Sequence, residues 1–500
     1  MRSNDSYVIH TAQIKGAEAL PVRVEVSMSQ GIPGLTIVGM PDAAVIEARS
    51  RVRCALKACG FSIARAHITI NLSPGDLRKQ GSSYDLPIAV AILALSGQIP
   101  RTHLERYLFI GELSLDGWVN ATRGSIAYEA LAHQMHLSLI LAPNSYIVGG
   151  RAEVKCLRQL LELRRGVDHL PDLMPDTTAL NSHEAELVDY ADVADQELPK
   201  RALVIAACGH HGLLMVGPPG AGKTMLARRL PTILPTLTDD ERNEVLLMRS
   251  IAGLDLQETL HGIRPFRAPH HSISRAGLLG GGRPVIPGEI SFAHQGVLFL
   301  DEFTEFSTTV LQSLRQPMEE HEVRLVRVDG TYVFPCNFQL IAAANPCPCG
   351  HLGDSGKTCT CTPTQIQQYQ SKIGGPIMDR IDLLVDVARP DTHQLMSDTR
   401  STSSKTMKDQ VEGGIAFRTW RVSSEEAQHK STSKGKEILA SFSLDARAAF
   451  EGTARRRQLG GRAITRIASV ARTIADLAEH EKVLVEDIAE ACLYRSRDAL

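Results

Sequence analysis

"HGLLMVGPPGAGKTMLARRL", His211 to Leu230, decides the fold. Leu213 to Val216 form an apolar strand. It runs into Gly217-Pro218-Pro219-Gly220-Ala221-Gly222-Lys223-Thr224, after which the pattern turns helical. Strand, G-x-x-x-x-G-K-[ST] and helix together make a phosphate-binding loop. The glycines let backbone N–H groups wrap the phosphates. Lys223 is expected to reach the β- and γ-phosphates, and the Thr224 hydroxyl to ligate Mg2+, so the predicted ligands are ATP and Mg2+. A chance glycine-rich turn would not require a buried strand before it and a helix after it.

A phosphate loop needs a partner acid. "GVLFLDEFTEF" supplies one: Val297 to Leu300 read as a strand ending in Asp301-Glu302. Asp301 is expected to hold Mg2+ and Glu302 to polarise the attacking water. "FQLIAAANP" reads as a further core strand ending in Asn345, either a residue that positions the water or a plain turn residue before Pro346. In "GGPIMDRIDLLVDV", Arg380 is a candidate arginine finger for a neighbouring subunit's γ-phosphate, or else a surface ion pair.

The stretch "ANPCPCGHLGDSGKTCTCTP" holds Cys347, Cys349, Cys359 and Cys361 as two C-x-C pairs. Its "GKT" is not a second phosphate loop, because His351 stands where the first glycine would be and no strand precedes it. Two short-spaced pairs can offer Zn2+ four thiolates, with His351 able to replace one, and a site filled by protein ligands is structural. Unligated surface thiols would be prone to oxidation. The other cysteines (Cys54, Cys59, Cys156, Cys208, Cys336 and Cys492) are scattered and expected in the core.

The chain has 500 residues, more than one ordinary domain, with 43% hydrophobic and 22% charged residues. A formal net charge of -2 gives no global attraction to nucleic acid, so any such binding must come from local basic clusters. No apolar run approaches the ~20 residues needed to span a bilayer. The N-terminus lacks a signal-peptide core, which predicts a cytoplasmic protein with no membrane partner. Residues 1–170 alternate strand-like and helical runs, and "YDLPIAVAILALSG" reads as a buried helix. A polar linker is expected over 171–187 and the nucleotide-binding core over 188–390. A variable connection should fill 391–436, including the Ser/Thr/Lys-rich 397–414, with helices over 437–500.

Longer motifs carry a resemblance. "RPFRAPHHSISRAGLLGGGRPVIPGEISFAHQGVLFLDEF" (264–303), "NPCPCG" and "GPIMDRIDL" resemble the magnesium-chelatase-like AAA+ ATPases of the ComM/YifB type. "GIPGLTIVGMPDAAVIEARSRVRCALKACGF" and "RAITRIASVARTIADL" fit too, so the likeness covers nearly the whole chain, with 395–436 its least similar part. It implies an α/β fold: an AAA+ P-loop core with a helical lid, preceded by an α+β domain like ribosomal S5 and Lon protease. It also implies a hexameric ring motor whose partner is single-stranded or branched DNA. The expected activity is ATP-driven branch migration in recombination during natural transformation. The alternative is a chelatase-type remodelling ATPase acting on a protein.

The same resemblance makes Gly280–Glu289 the helix-2 insert and 322–335 a hairpin turning at Asp329-Gly330, both facing the pore. Arg275, Arg283, Arg324 and Arg327 would then line it. On a lone chain these arginines are a weak patch; repeated around a ring they would make a basic channel. Arg462 matches the family's sensor-2 position. "GSSYDLPIAVAILALSG" matches the serine helix of Lon, with Ser83 at the nucleophile's place. Ile126 stands where Lon needs a lysine, so Ser83 is expected to cap a helix and not to cut peptides.

Overall fold

The computed structural model describes residues 6–175, 188–354, 356–373, 377–390, 401–426 and 438–495. The N-terminal unit carries strands β1 (Ser6–Lys15), β2 (Glu18–Ser29), β3 (Gly34–Val38), β4 (His67–Ser73), β5 (Tyr107–Phe109), β6 (Glu112–Leu113), β7 (Val119–Asn120), β8 (Ser138–Leu141) and β9 (Val154–Cys156). Seven of these form one mixed sheet in the order β3-β4-β2-β1-β5-β8-β9. The helix Ala43–Ala58 starts where Asp42 accepts the Val45 N–H at 2.9 Å. It buries Val45, Ala48, Val52, Ala55 and Leu56, the spacing of one helical face. The helix Asp85–Leu95 is apolar all round and buried on every side except at its last residue.

Two expectations fail in this unit. Ser83 does not cap that helix, which begins after Tyr84 with no side-chain cap. The Ser83 hydroxyl instead meets the buried phenol of Tyr128. Tyr128 lies on the helix Ser125–Gln134, two residues after Ile126, so the partner of the serine is a phenol. Cys54 is exposed, on the outer face of Ala43–Ala58, whereas the other five scattered cysteines are buried.

The core carries β10 (Leu213–Val216), β11 (Phe266–Arg267), β12 (Gly280–Gly281), β13 (Ile286–Pro287), β14 (Val297–Leu300), β15 (Glu322–Arg327), β16 (Gly330–Pro335), β17 (Gln339–Ala344) and β18 (Leu383–Asp386). Five of them pair in the order β11-β14-β17-β10-β18, every pair parallel. Parallel strands are covered on both faces, so they read as unbroken apolar runs. In β10, Leu213 and Met215 enter one apolar cluster and Leu214 and Val216 the other. The strands' C-terminal ends share one edge, where ligands bind in open parallel sheets.

The helices Leu444–Arg456, Gly461–Leu477 and Val485–Leu493 form the lid. The lid is fastened to the opposite, N-terminal edge of the sheet. His211 Nε2 meets Thr473 Oγ1 at 2.8 Å and Arg466 pairs with Asp382 at 2.6 Å. The expected connection over 391–436 needs correction. Its parts 391–400 and 427–436 lie outside the described residues, but Ser404–Glu426 is one long helix. Gly413-Gly414 invites reading as a break. A Cβ at Gly414 would stand 2.8 Å from Leu477 Cδ2 and 2.9 Å from Cys208 Sγ. The glycine is there because this helix lies close against Glu197–Gly209 and the lid.

Candidate active site

Three strand ends build the site. After β10 the loop Gly217–Gly222 turns with Gly220 at φ 79° and Gly222 at φ 89°, and the helix Lys223–Arg228 follows. Both angles lie in the left-handed region that favours glycine. Gly217 has another constraint: a Cβ there would stand 2.1 Å from the Val387 carbonyl oxygen. The Lys223 amine donates to the carbonyls of Gly217 (2.5 Å) and Pro218 (3.0 Å) and to Asn345 Oδ1 (3.1 Å). Burial pulls its pKa down to about 8, against the opposing pull of Asp301 and Glu302.

After β14, Asp301 Oδ2 accepts the Thr224 hydroxyl at 2.7 Å. These two hard oxygen donors, converging beside the phosphate loop, fit Mg2+, which prefers oxygen ligands. Glu302 follows at φ 49°, a strained angle for a non-glycine residue, and its N–H bonds Asp301 Oδ1 at 2.9 Å. Its carboxylate is exposed and pairs with His271 Nδ1 at 3.1 Å. Sequence reading missed His271, which lies far from Glu302 in the chain. The one available signal was the His270-His271 pair shortly after an edge strand.

The cysteine loop follows β17 directly. The four Sγ atoms lie within 4.8 Å of one another, with 3.4 Å between Cys347 and Cys349. Cys359 lies 3.6 Å from each of these two. A tetrahedron of thiolates around Zn2+ has S–S edges of about 3.8 Å, from a Zn–S bond of about 2.3 Å. The donor set therefore fits zinc. Backbone N–H groups of His351 and Thr360 pull the Cys349 thiol down to about 5, whereas desolvation and the neighbouring Cys349 and Cys347 push Cys359 and Cys361 up. His351 is already engaged with Asp354 at 3.0 Å, so the four thiols form the set without it. The loop also touches the phosphate loop: a Cβ at Gly350 would stand 2.6 Å from Pro219 Cδ.

Arg380 and Arg462 are not brought to this chain's own phosphate loop. Arg380 is buried just before β18, at the opposite edge of the sheet, and pairs with Glu319. It shares a cavity of about 540 Å³ with Arg462 and Arg466. Burial and the neighbouring charges of Arg462, Arg315 and Arg466 lower its affinity for its proton. Glu319 and Asp382 line the same cavity, and Arg466 pairs with Asp382 as Arg380 does with Glu319.

The basic hairpins come together. Strands β12 and β13 pair, with Arg283 exposed on their connection, and Arg275 is exposed on the preceding helix Arg275–Leu279. A Cβ at Gly281 would stand 3.2 Å from Arg327 Nη2, so the second hairpin leans on the first. That second hairpin turns at Val328-Asp329, not Asp329-Gly330, because Arg327 pairs with Gly330, whose φ of 124° begins the return strand. Arg324 and Arg327 lie three residues apart on one strand and so point to opposite faces, and Arg324 is paired with Glu322. The N-terminal unit braces this hairpin: Ala17 N–H bonds the Val333 carbonyl at 3.2 Å and Lys15 lies over the Tyr332 ring.

Comparison with known proteins agrees with this architecture. Three family models match: subunit ChlI of Mg-chelatase over 24–145, magnesium chelatase subunit ChlI over 189–395, and the ChlI C-terminal region over 401–495. The last match takes in the Ser404–Glu426 helix, within the stretch expected to be least similar. The chain is 39% identical over 509 residues to the uncharacterized protein YifB of Salmonella typhimurium, covering 99% of this chain and 97% of the relative. It is 37% identical over 501 residues to the competence protein ComM of Haemophilus influenzae, covering 98% and 97%. A magnesium-chelatase 67 kDa subunit of Chlorobaculum parvum is 27% identical over 164 residues, 32% of this chain and 24% of that protein. The chain belongs to the magnesium-chelatase-like family that includes YifB and ComM. It has the α/β P-loop architecture of that AAA+ family, which implies an ATPase using nucleotide and Mg2+. No helix among the described residues is long and apolar enough to cross a membrane.

Proposed function

We propose that this member of the ComM/YifB family is a ring-forming, ATP-driven motor that moves branched or single-stranded DNA in the cytoplasm. The observation that carries the DNA reading is the contact between the two hairpins bearing Arg283 and Arg327. One copy of this patch is weak, but repeated around a ring it makes a continuous phosphate-binding channel. The relative named a competence protein supports a role in competence, and recombination during natural transformation is the part of that process this reading assigns to the chain.

In this reading Lys223 and the loop N–H groups bind the ATP phosphates, and Thr224 and Asp301 would hold Mg2+, which would supply neutralisation of the phosphate charge. Glu302 takes the proton of the attacking water. Asn345 fixes Lys223 and orients the water. Arg380 and Arg462 meet the γ-phosphate of the neighbouring subunit, since they face away from their own loop. Six subunits would close the ring. Cys347, Cys349, Cys359 and Cys361 would hold zinc, which would keep the loop after Asn345 rigid. A remodelling ATPase acting on a protein would share this site but would have no use for a basic channel.

The test is DNA affinity across a salt series for the wild type and Arg327→Ala. The variant should bind more weakly with a flatter salt dependence, because each ring loses phosphate contacts. Unchanged affinity and slope would remove the channel and favour the protein-remodelling alternative.

A further inference from the structure

The N-terminal unit is seated on the basic hairpins, and its β1–β2 turn makes the contact. Gly16 turns there at φ 67°, and a Cβ on it would stand 2.8 Å from the Val333 carbonyl oxygen. Ala17, whose N–H bonds that same carbonyl, also packs against a buried cluster of Met248, Tyr332 and Phe334. Val285 of the β12–β13 connection and Leu325 of β15 pack on the same cluster. A second anchor lies on the helix Asp239–Ala252, where the Gly124 N–H meets the Ser250 carbonyl at 3.0 Å. One apolar cluster thus joins the turn, that helix and both hairpins.

The turn brings charge with it. Lys15 lies 5.9 Å from the centre of the Tyr332 ring, and a Cβ on Gly330 would collide with its amine. Burial pushes the Tyr332 phenol up to about 12, against the opposing charges of Arg78 and Arg327, so both arginines stand near this ring. Arg78 and Arg327 are exposed. Neither Lys15 nor Arg78 pairs with a carboxylate among the described residues. The acid at the tip is engaged: Asp329 Oδ2 accepts the Tyr332 hydroxyl at 2.8 Å.

We propose that the N-terminal unit is part of the polymer-binding surface, with Lys15 and Arg78 taking backbone phosphates of single-stranded DNA beside Arg327. This deepens the reading of the hairpins as DNA-binding and rests on it. Cations without acidic partners attract phosphate wherever it stands along a strand, and they read no base edges. A chain of net charge -2 needs such a local gathering to hold a polyanion. The shared apolar cluster fixes cations from both parts of the chain in one place, so the polymer does not have to order them.

The experiment is affinity of the full chain for labelled oligo-dT and for a mixed-sequence single strand across a salt series. The variants are Arg78→Ala, Arg78→Lys, Lys15→Met, Arg53→Ala and Arg327→Ala. Each phosphate contact adds about 0.7 to the slope of log affinity against log salt on a single strand. Arg78→Ala should flatten the slope by about that much and weaken binding about fivefold near 0.1 M salt, equally on both strands. Lys15→Met keeps its stem on Tyr332 while losing the charge, and should do the same. Arg78→Lys keeps the charge and should keep wild-type values. Arg53→Ala removes an equal charge from the outer face of Ala43–Ala58 and should change neither quantity. Wild-type binding by Arg78→Ala and Lys15→Met, beside a loss in Arg327→Ala, overturns the proposal and leaves the hairpin reading standing. Wild-type binding by all three overturns both. An equal loss in Arg53→Ala also overturns the proposal, since position would then not matter.

Discussion

Thr224 donates its hydroxyl to Asp301 across 2.7 Å, joining the end of the phosphate loop to the end of the next-but-one strand of the sheet. The parallel order β11-β14-β17-β10-β18 makes this contact possible, because it places the ends of β10, β14 and β17 on one edge. Phosphate contact and water activation then sit on different strands and can be removed separately. Lys223→Ala should abolish ATP binding, while Glu302→Gln should bind ATP and fail to turn it over. Nucleotide titration beside a phosphate-release assay checks both, and normal turnover by Glu302→Gln would refute the assignment.

Burial of Lys223 makes ATP affinity depend on pH. The amine's pKa is lowered to about 8 in the free protein. Bound phosphates favour the charged form, so the complex keeps the proton to higher pH. Affinity should therefore be flat below pH about 8 and fall above it, by up to about tenfold per pH unit, until the pKa of the complex is reached. Lys223→Arg stays charged throughout and should lose this dependence. Titration calorimetry at two pH values either side of 8 is the measurement, and an equal fall in Lys223→Arg would contradict the cause.

The cysteine loop predicts zinc at about one ion per chain, the stoichiometry of a four-thiolate site. Stripping it with a strong chelator should lower ATP turnover, because Gly350 of the same loop packs on Pro219. Elemental analysis of freshly reduced protein that finds no zinc would remove the site.

Arg380→Ala should leave ATP affinity nearly intact and lower turnover by ~10³-fold or more, the usual worth of an arginine finger. Mixed with Lys223→Ala protein, it should regain part of its activity, since each variant completes the other's interface. Absence of rescue would mean that the Arg380 cluster does not act across subunits.

What was legible in the sequence was local. The phosphate loop, Asp301-Glu302 and the paired cysteines each lie within a short stretch whose chemistry demands that spacing. What was hidden depends on distant partners. Gly414 is tolerated in mid-helix because Cys208 and Leu477 press against it, and both are remote in the chain. The bracing of the Glu322–Pro335 hairpin by Lys15 and Ala17 follows from domain packing that no motif encodes. Ser83 kept its place at the head of a buried helix, but only the fold shows that its partner is Tyr128.

The central claim is that ATP turnover drives movement along branched DNA, and the direct measurement is migration of a labelled four-way junction. Wild-type protein with ATP and Mg2+ should convert the junction into its duplex products, while Glu302→Gln should bind the junction without resolving it. A junction that stays intact under wild-type protein that is actively hydrolysing ATP would contradict the account.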